Sequence, residues 1–273
     1  MNNKQFDVLV YIGFDERQPE AFKVCKQSIL SLSKPGDHRI HVLPLKHQEL
    51  RDRGIFTRPW KITENGAFLD ERDGKPFSTQ FSHTRFLVPY LARTSDLNPR
   101  FAIFVDSDFV FLRSISELIN EILSDKGHFP VYCVKHNYKP SADRKMDNRD
   151  QFGYNKKLWT SLMVFDMEED HSRALTPAHV NSATGMSMHQ FQWLLDEALI
   201  GSIDESWNAI PGHTFVPRLS AIHYTEGTPH MPGYENCPWA EYYWMTYQDA
   251  LVMELNNTYF KGFLSGTNSK TKD

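Results

Sequence analysis

Apolar positions along this chain follow two rhythms. The run FDVLVYIGF at 6–14 is continuously apolar, which predicts a strand buried on both faces. PEAFKVCKQSILSLS at 19–33 instead sets Phe22, Cys25, Ile29 and Leu32 three and four residues apart, the spacing of one helix face. HRIHVLPL at 38–45 predicts a second strand. A β-α-β opening of this kind implies a parallel pair.

The two rhythms continue. FSHTRFLVPYLA at 81–92 predicts a helix, as does SISELINEILSD at 114–125, where Ser114 and Glu117 stand in capping-box spacing. AIFVDSDFVFL at 102–112, PVYCVK at 130–135, WTSLMVFDM at 159–167 and LSAIHYTEG at 219–227 predict strands. SMHQFQWLLDEALI at 187–200 and PWAEYYWMTYQDALVMEL at 238–255 predict helices. Two stretches break the pattern. Residues 56–79 carry the turn signals Asn65-Gly66 and Asp73-Gly74, predicting a hairpin-like excursion beside the site. Residues 136–157 crowd Lys, Arg and Asp together and read as a solvated loop. The element order fits one α/β domain, with a Rossmann-like, mostly parallel central sheet flanked by helices. Ligands of such sheets sit beyond the carboxyl ends of the strands.

Composition narrows this reading. A chain of 273 residues suits one domain with a substantial core. We expect it to span 1–264, with SGTNSKTKD at 265–273 a disordered tail. The net charge of −4 gives no support for nucleic-acid binding through a basic surface. Cys25, Cys133 and Cys237 are odd in number and widely spaced, which argues against a disulfide framework and for a reducing compartment. The N-terminal apolar run is too short for a signal peptide, and no run reaches the roughly 18 apolar residues of a membrane span. A cytoplasmic location is the expectation. The 6 Trp and 13% aromatic share suit core packing, with sugar stacking by Trp193, Trp207 or Trp239 the alternative.

The chemistry begins at Asp106-Ser107-Asp108, where an apolar strand ends in two carboxylates at i and i+2. In extended geometry both point the same way. Two unpartnered carboxylates at a strand end repel and lose hydration. A divalent cation resolves this, since hard oxygen ligands suit Mg²⁺ or Mn²⁺. His223, which closes the apolar AIH far downstream, completes an O,O,N set suited to Mn²⁺. Solvated loop carboxylates and a packed histidine are the alternative.

Four segments in order carry a resemblance to GT-A type nucleotide-sugar glycosyltransferases, closest to glycosyltransferase family 8. YIGFDERQPEAFKVCKQSI resembles the family's first strand, nucleotide loop and helix, and SHTRFLVPYLA its arginine-bearing helix. FVDSDFVF resembles its D-x-D strand, and IHYTEGTPH its late H-x-x-G segment. The resemblance implies Mn²⁺ (or Mg²⁺) held by Asp106, Asp108 and His223, bridging the phosphates of a UDP-sugar. It implies Tyr11 and Asp15 at the uracil, Arg17 near the nucleotide, Arg85 at the sugar or phosphate, Ser107 at the ribose and Gly227 against the diphosphate. The family's lysine after H-x-x-G is missing here, and His230 stands nearby as a weak substitute.

For the reaction, the resemblance implies departure of UDP with retention at the anomeric carbon of a hexose-type donor, and Gln190 beneath the sugar. Asp196, on the same predicted helix, is the rival residue, as the general base of an inverting enzyme. The acceptor would be a saccharide or another hydroxyl compound. A silent nucleotide-sugar binding module and a metal-dependent nucleotidyltransferase are the competing functions. The latter calls for a Gly-rich, basic loop after the first strand, where IGFDERQPEAF has one glycine and acids.

Overall fold

The structure, a computed structural model, describes residues 5–64, 66–125, 127–136, 156 and 158–266, with side chains to residue 256. In chain order the elements are β1 (Asp7–Gly13), α1 (Pro19–Ser31), β2 (Arg39–Leu45), α2 (His47–Asp52), β3 (Trp60–Ile62), β4 (Phe68–Asp70), β5 (Pro76–Phe77) and α3 (Val88–Arg93). There follow β6 (Phe101–Val105), β7 (Phe109–Phe111), α4 (Ile115–Ser124), β8 (Val131–Cys133), β9 (Leu162–Asp166), α5 (Pro177–Ser182), α6 (Gly185–His189), β10 (Ile200–Ser202), β11 (Ala221–His223) and α7 (Ala240–Gly266).

Six strands form the central sheet in the order β10-β8-β9-β6-β1-β2. β1 pairs parallel with β2 and β6, and β10 pairs parallel with β8. Only β9 runs against its neighbours. The fold class is therefore the expected mostly parallel α/β sheet flanked by helices. Why the strands read as continuous apolar runs is visible in their side-chain parity. Leu9 and Tyr11 of β1, with Ala102 and Phe104 of β6, enter one buried cluster, joined by Leu87, Val88 and Leu91. Val8, Val10 and Ile12, with Phe101, Ile103 and Val105, enter another on the opposite face, joined by Cys25, Ile29, Leu118 and Ile119. Both faces are covered, so neither parity is polar. Pro44 is tolerated in β2 because that strand is at the sheet edge. Ser114 and Glu117 form the capping box that opens α4.

Three expectations are corrected. The excursion at 56–79 is a three-stranded antiparallel sheet, β3-β4-β5, more than a hairpin. The helix expected over 81–92 is a 3₁₀ turn, Thr84–Leu87, running into α3. The helix expected over 187–200 stops at His189. Phe191 takes a left-handed φ of 60°, and Phe191, Trp193 and Leu194 are buried in the core; tertiary burial overrides the helical spacing there. Trp193, Trp207 and the partly buried Trp239 all pack in apolar clusters, as core residues do. α7 runs to Gly266. Apart from His136 and Lys156, the charged loop at 136–157 lies outside the described residues, as does the tail beyond 266. No described helix is long and apolar enough to cross a membrane.

Candidate active site

β6 ends at Val105, and the chain turns through Asp106, Ser107 and Asp108 before β7 starts at Phe109. β11 runs antiparallel to β7 with His223 opposite Phe109, and the two rings stack with centroids 4.3 Å apart. This register brings His223 Nε2 to 3.3 Å from Asp108 Oδ1. One ligand-type atom from each of Asp106, Asp108 and His223 lies within 4.8 Å of the other two. The carboxylates line an open cleft, while His223 is 1% exposed. The donor set, two carboxylates and an imidazole around one point, fits a hard divalent cation.

Arg85 comes from the 3₁₀ turn before α3. Its Nη1 lies 3.0 Å from Asp106 Oδ1 and donates to the Thr160 carbonyl at 2.9 Å. The guanidinium sits over the Phe104 ring at 4.7 Å, which fixes it with little freedom. Thr160 Oγ1 is in turn 2.7 Å from His189 Nδ1. His189 is held neutral: burial, then the charges of Arg85 and His83, push its pKa well below the usual value.

The cleft occupies about 710 Å³, counted out to solvent, and its wall includes the loop after β1 and the segment after β11. Asp15 is 3% exposed. Its carboxylate accepts from Arg17 Nε at 2.8 Å, from the Arg17 amide at 3.1 Å and from the Gln80 amide at 3.2 Å, and it also pairs with Arg17 Nη2. Burial pushes the Asp15 carboxyl up, yet the Arg17 contacts outweigh this and leave its pKa below the usual range. Arg17 also donates to Ser78 O at 2.9 Å and stacks over Phe68 at 4.2 Å. Ser107 and Gly227 line the same cleft. Gly13 lets the Phe81 ring lie against β1, where a Cβ would sit 2.6 Å from that ring.

Four of the expected site residues lie elsewhere. Tyr11 shares its strand face with Leu9, is 8% exposed and packs in the core, away from the cleft wall. His230 packs its ring on Tyr247, Trp244 and Tyr243 at 4.4, 5.0 and 5.6 Å. Burial pushes its pKa down, so it brings no dependable cation to a phosphate. Gln190 caps α6, with its side-chain oxygen accepting from Gln192 at 3.2 Å. Asp196 is exposed and caps a 3₁₀ turn, accepting from the Ala198 amide at 2.9 Å. Neither Gln190 nor Asp196 lines the cleft, and the break at Phe191 removes the shared helix that linked them.

Sequence reasoning missed Asn208, which is fully buried and whose Oδ1 lies 2.9 Å from His223 Nδ1. Nothing in DESWNAI singles it out, because its role depends on a segment pairing with β11. It also missed Gln80, Thr225 and Thr228. Burial pushes His136 down to about 4, leaving another neutral ring in this region.

A second cluster has the same donor types: Asp70, Asp73 and His83. Arg58, 1% exposed, pairs with Asp70 and lies 3.5 Å from Asp73. His83 Nε2 is 3.3 Å from Asp70 Oδ2. A guanidinium already holds the cation position there.

With this geometry in view, the likenesses to known proteins take on meaning. GlyE of Streptococcus pneumoniae TIGR4, a glycosyltransferase, superposes with a TM-score of 0.52 at 12% identity, over 93% of this chain and 64% of its own. An active-site mutant of LgtC gives 0.51 at 10% identity, over 88% and 95%. The bifunctional glycosyltransferase WbbM gives 0.51 at 15% identity, over 90% of this chain and 50% of its own. This chain thus spans half of WbbM and less than two thirds of GlyE. The fold is the GT-A type of glycosyltransferases. In sequence, 238 residues are 35% identical to Protein CDI of Arabidopsis thaliana, covering 85% of this chain and 83% of that protein. The chain belongs to the Protein CDI family. No family model matches it.

Proposed function

We propose that this protein is a metal-dependent glycosyltransferase that moves a sugar, of hexose type, from a UDP-sugar to a saccharide or other hydroxyl acceptor. The reading rests on one observation: Asp106 and Asp108, at the carboxyl end of β6 and on the wall of an open cleft in a GT-A fold, converge with the buried His223. Cleft electrostatics support it. Among the described residues, the charged side chains of the wall are Asp15, Asp106, Asp108 and Glu226 against Arg17 and Arg85. Four carboxylates facing two guanidiniums repel a diphosphate, unless a divalent cation offsets the excess.

Mn²⁺ or Mg²⁺, when bound, supplies positive charge against the leaving diphosphate. The chain's own residues do the rest. Asp106, Asp108 and His223 hold the cation. Arg85 orients Asp106 against Thr160 and adds fixed positive charge near the sugar or phosphate. Asp15, itself held by the Gln80 amide, and the Ser78 carbonyl fix Arg17 at the nucleotide end, while Ser107 and Gly227 offer backbone where the donor lies close. The bond from the anomeric carbon to the diphosphate breaks, the acceptor oxygen forms the new bond to that carbon, and the acceptor's proton passes to an oxygen of the departing diphosphate. Retention at that carbon is part of the proposal, as is one catalytic domain over 1–264 acting in the cytoplasm. Preorganised charge of this kind is worth several kcal/mol.

A second reading, a nucleotide-sugar binding module without turnover, is favoured by a cleft wall with no lysine among the described residues and with Gln190 and Asp196 outside it. UDP release from a panel of UDP-sugars, with and without Mn²⁺, separates the two. Mn²⁺-dependent release from one donor, lost in Asp108→Ala, supports the transferase. Binding of UDP without release from any donor, acceptors included, supports the module. Failure to bind UDP removes both.

A further inference from the structure

Asn208 sits on the 3₁₀ turn Glu205–Asn208, which Asp204 caps by accepting from the Ser206 amide at 2.9 Å. Trp207, fully buried, anchors the turn by donating to Glu121 at 2.7 Å. The chain then runs beside β11: Ala209 N donates to Ala221 O at 2.9 Å and His223 N to Ala209 O at 2.8 Å. This pairing sets Asn208 behind His223, on the side away from Asp108.

The hydrogen-bond directions there follow from one carbonyl. Ser161 Oγ donates its single proton to Leu158 O at 2.6 Å, since a carbonyl cannot donate. Ser161 Oγ can therefore only accept from Asn208, 2.9 Å away. The Asn208 atom facing Ser161 is thus Nδ2, and its Oδ1 faces His223 Nδ1 at 2.9 Å. An amide oxygen accepts, so Nδ1 carries a proton, and Nε2, the atom 3.3 Å from Asp108, is the ring nitrogen left to offer a lone pair to a cation. The chain holds Leu158 at a left-handed φ of 72°, the start of the turn that aims its carbonyl at Ser161.

We propose that Leu158, Ser161 and Asn208 form a directional relay that fixes His223 in the Nδ1–H tautomer and points its Nε2 lone pair at the Asp106–Asp108 pair. Asn208 is a positioning residue. It touches no substrate and acts through His223. The proposal rests on the metal-dependent reading above. In the other tautomer Nε2 carries a proton, and that proton faces the cation position. Outer partners of this kind are worth roughly 10–100-fold in metal affinity.

The test has two readouts. The first is long-range ¹H–¹⁵N NMR of the His223 ring in the metal-free protein at neutral pH, where the Nδ1–H pattern is expected in the wild type. The second is Mn²⁺ affinity by EPR for wild type, Asn208→Leu, Asn208→Asp and Ser161→Ala. Asn208→Leu is expected to bind Mn²⁺ about 10–100-fold more weakly, and Asn208→Asp, which keeps an acceptor, to recover most of it. Ser161→Ala, a milder change that frees the amide to turn over, is expected to fall between, and it decides the matter if Asn208→Leu does not fold. A wild-type ring with its proton on Nε2 overturns the relay. So do folded variants with wild-type Mn²⁺ affinity. Wild-type protein that binds no Mn²⁺ fails the metal reading first, and the positioning role with it, a result distinct from variants that match a Mn²⁺-binding wild type.

Discussion

Among the described residues, two regions bring together two aspartates and one histidine within 4.8 Å. They differ in what neutralises them. Around Asp70, Asp73 and His83, Arg58 is buried and holds the Asp70 carboxylate, while donating to the Val180 and Ala183 carbonyls at 3.3 and 2.5 Å. Backbone amides of Arg72, Lys75 and Gly185 take further oxygens of the two aspartates at 2.9–3.0 Å. Around Asp106, Asp108 and His223, Arg85 reaches Asp106, and the carboxylates line the cleft. The same side-chain types make a closed structural centre in one place and an open cation position in the other. Solvent access and the number of cationic contacts decide which, more than the residue list.

Removing the resident cation gives the largest expected effect. Arg58→Ala leaves Asp70 buried and uncompensated, at a cost of about 3–5 kcal/mol, read from urea unfolding. The double variant Arg58→Met/Asp70→Leu is expected to recover most of this, since replacing a buried pair with apolar groups is often near neutral. A single Arg58→Ala with wild-type stability would mean that this centre is not ion-paired as described. The counterpart in the cleft is Asp108→Ala. It is expected to cost about 10²–10³-fold in turnover with unfolding stability near wild type, because Asp108 sits at the open cleft and not in the core. A variant that loses stability and keeps turnover would exchange the roles of the two regions.

Arg85 tests the middle ground. Arg85→Gln takes a positive charge from beside Asp106 and is expected to tighten Mn²⁺ by about tenfold, or roughly 1.4 kcal/mol, while turnover falls. Unchanged or weaker Mn²⁺ affinity would place the main work of Arg85 in holding Asp106. The histidines extend the comparison to pH. Burial, ahead of every other cause, leaves His83 below the usual histidine value, and His189 well below it. The unfolded chain then binds protons that the native state does not, so stability is full above about pH 6.5 and declines as pH falls below it. The urea midpoint is expected to drop from about pH 7 to about pH 5, and His83→Gln to flatten the decline. A flat wild-type profile would mean that these rings protonate in place.

The two regions were unequally legible in the sequence. The sheet could be read because burial on both faces writes continuous apolar runs at β1, β6 and β9. Asp106 and Asp108 stood out because carboxylates are costly at the end of such a run, and His223 because it closes another. Arg58 and Asn208 gave no signal. Each acts through partners more than 10 residues away, Asn208 on Ser161 and His223, Arg58 on Asp70 and on carbonyls more than 120 residues on. Tyr11 was misplaced by strand parity, which sends it to the core face, and His230 by the aromatic cluster on α7 that claims its ring. Helical spacing over 187–200 persuaded because Phe191, Trp193 and Leu194 are apolar, yet their burial is met by a left-handed turn instead.

Asp196 carries the smallest expected effect and the sharpest test of that last point. On a continuous helix it would lie about 120° around the axis from Gln190, so only one of the two could face the donor. In the structure it is exposed and its Oδ1 accepts the Ala198 amide at 2.9 Å, a cap that asparagine fills about as well. Asp196→Asn should therefore leave turnover within about twofold and stability within about 0.5 kcal/mol of wild type. A turnover loss of tenfold or more, about 1.4 kcal/mol in barrier, with stability unchanged would require the chain from Phe191 to Leu199 to swing its carboxylate into the cleft during the reaction. That would give the open region a general base outside the cluster at the end of β6, and the difference between the two regions would then lie in what can move as much as in which cation is already there.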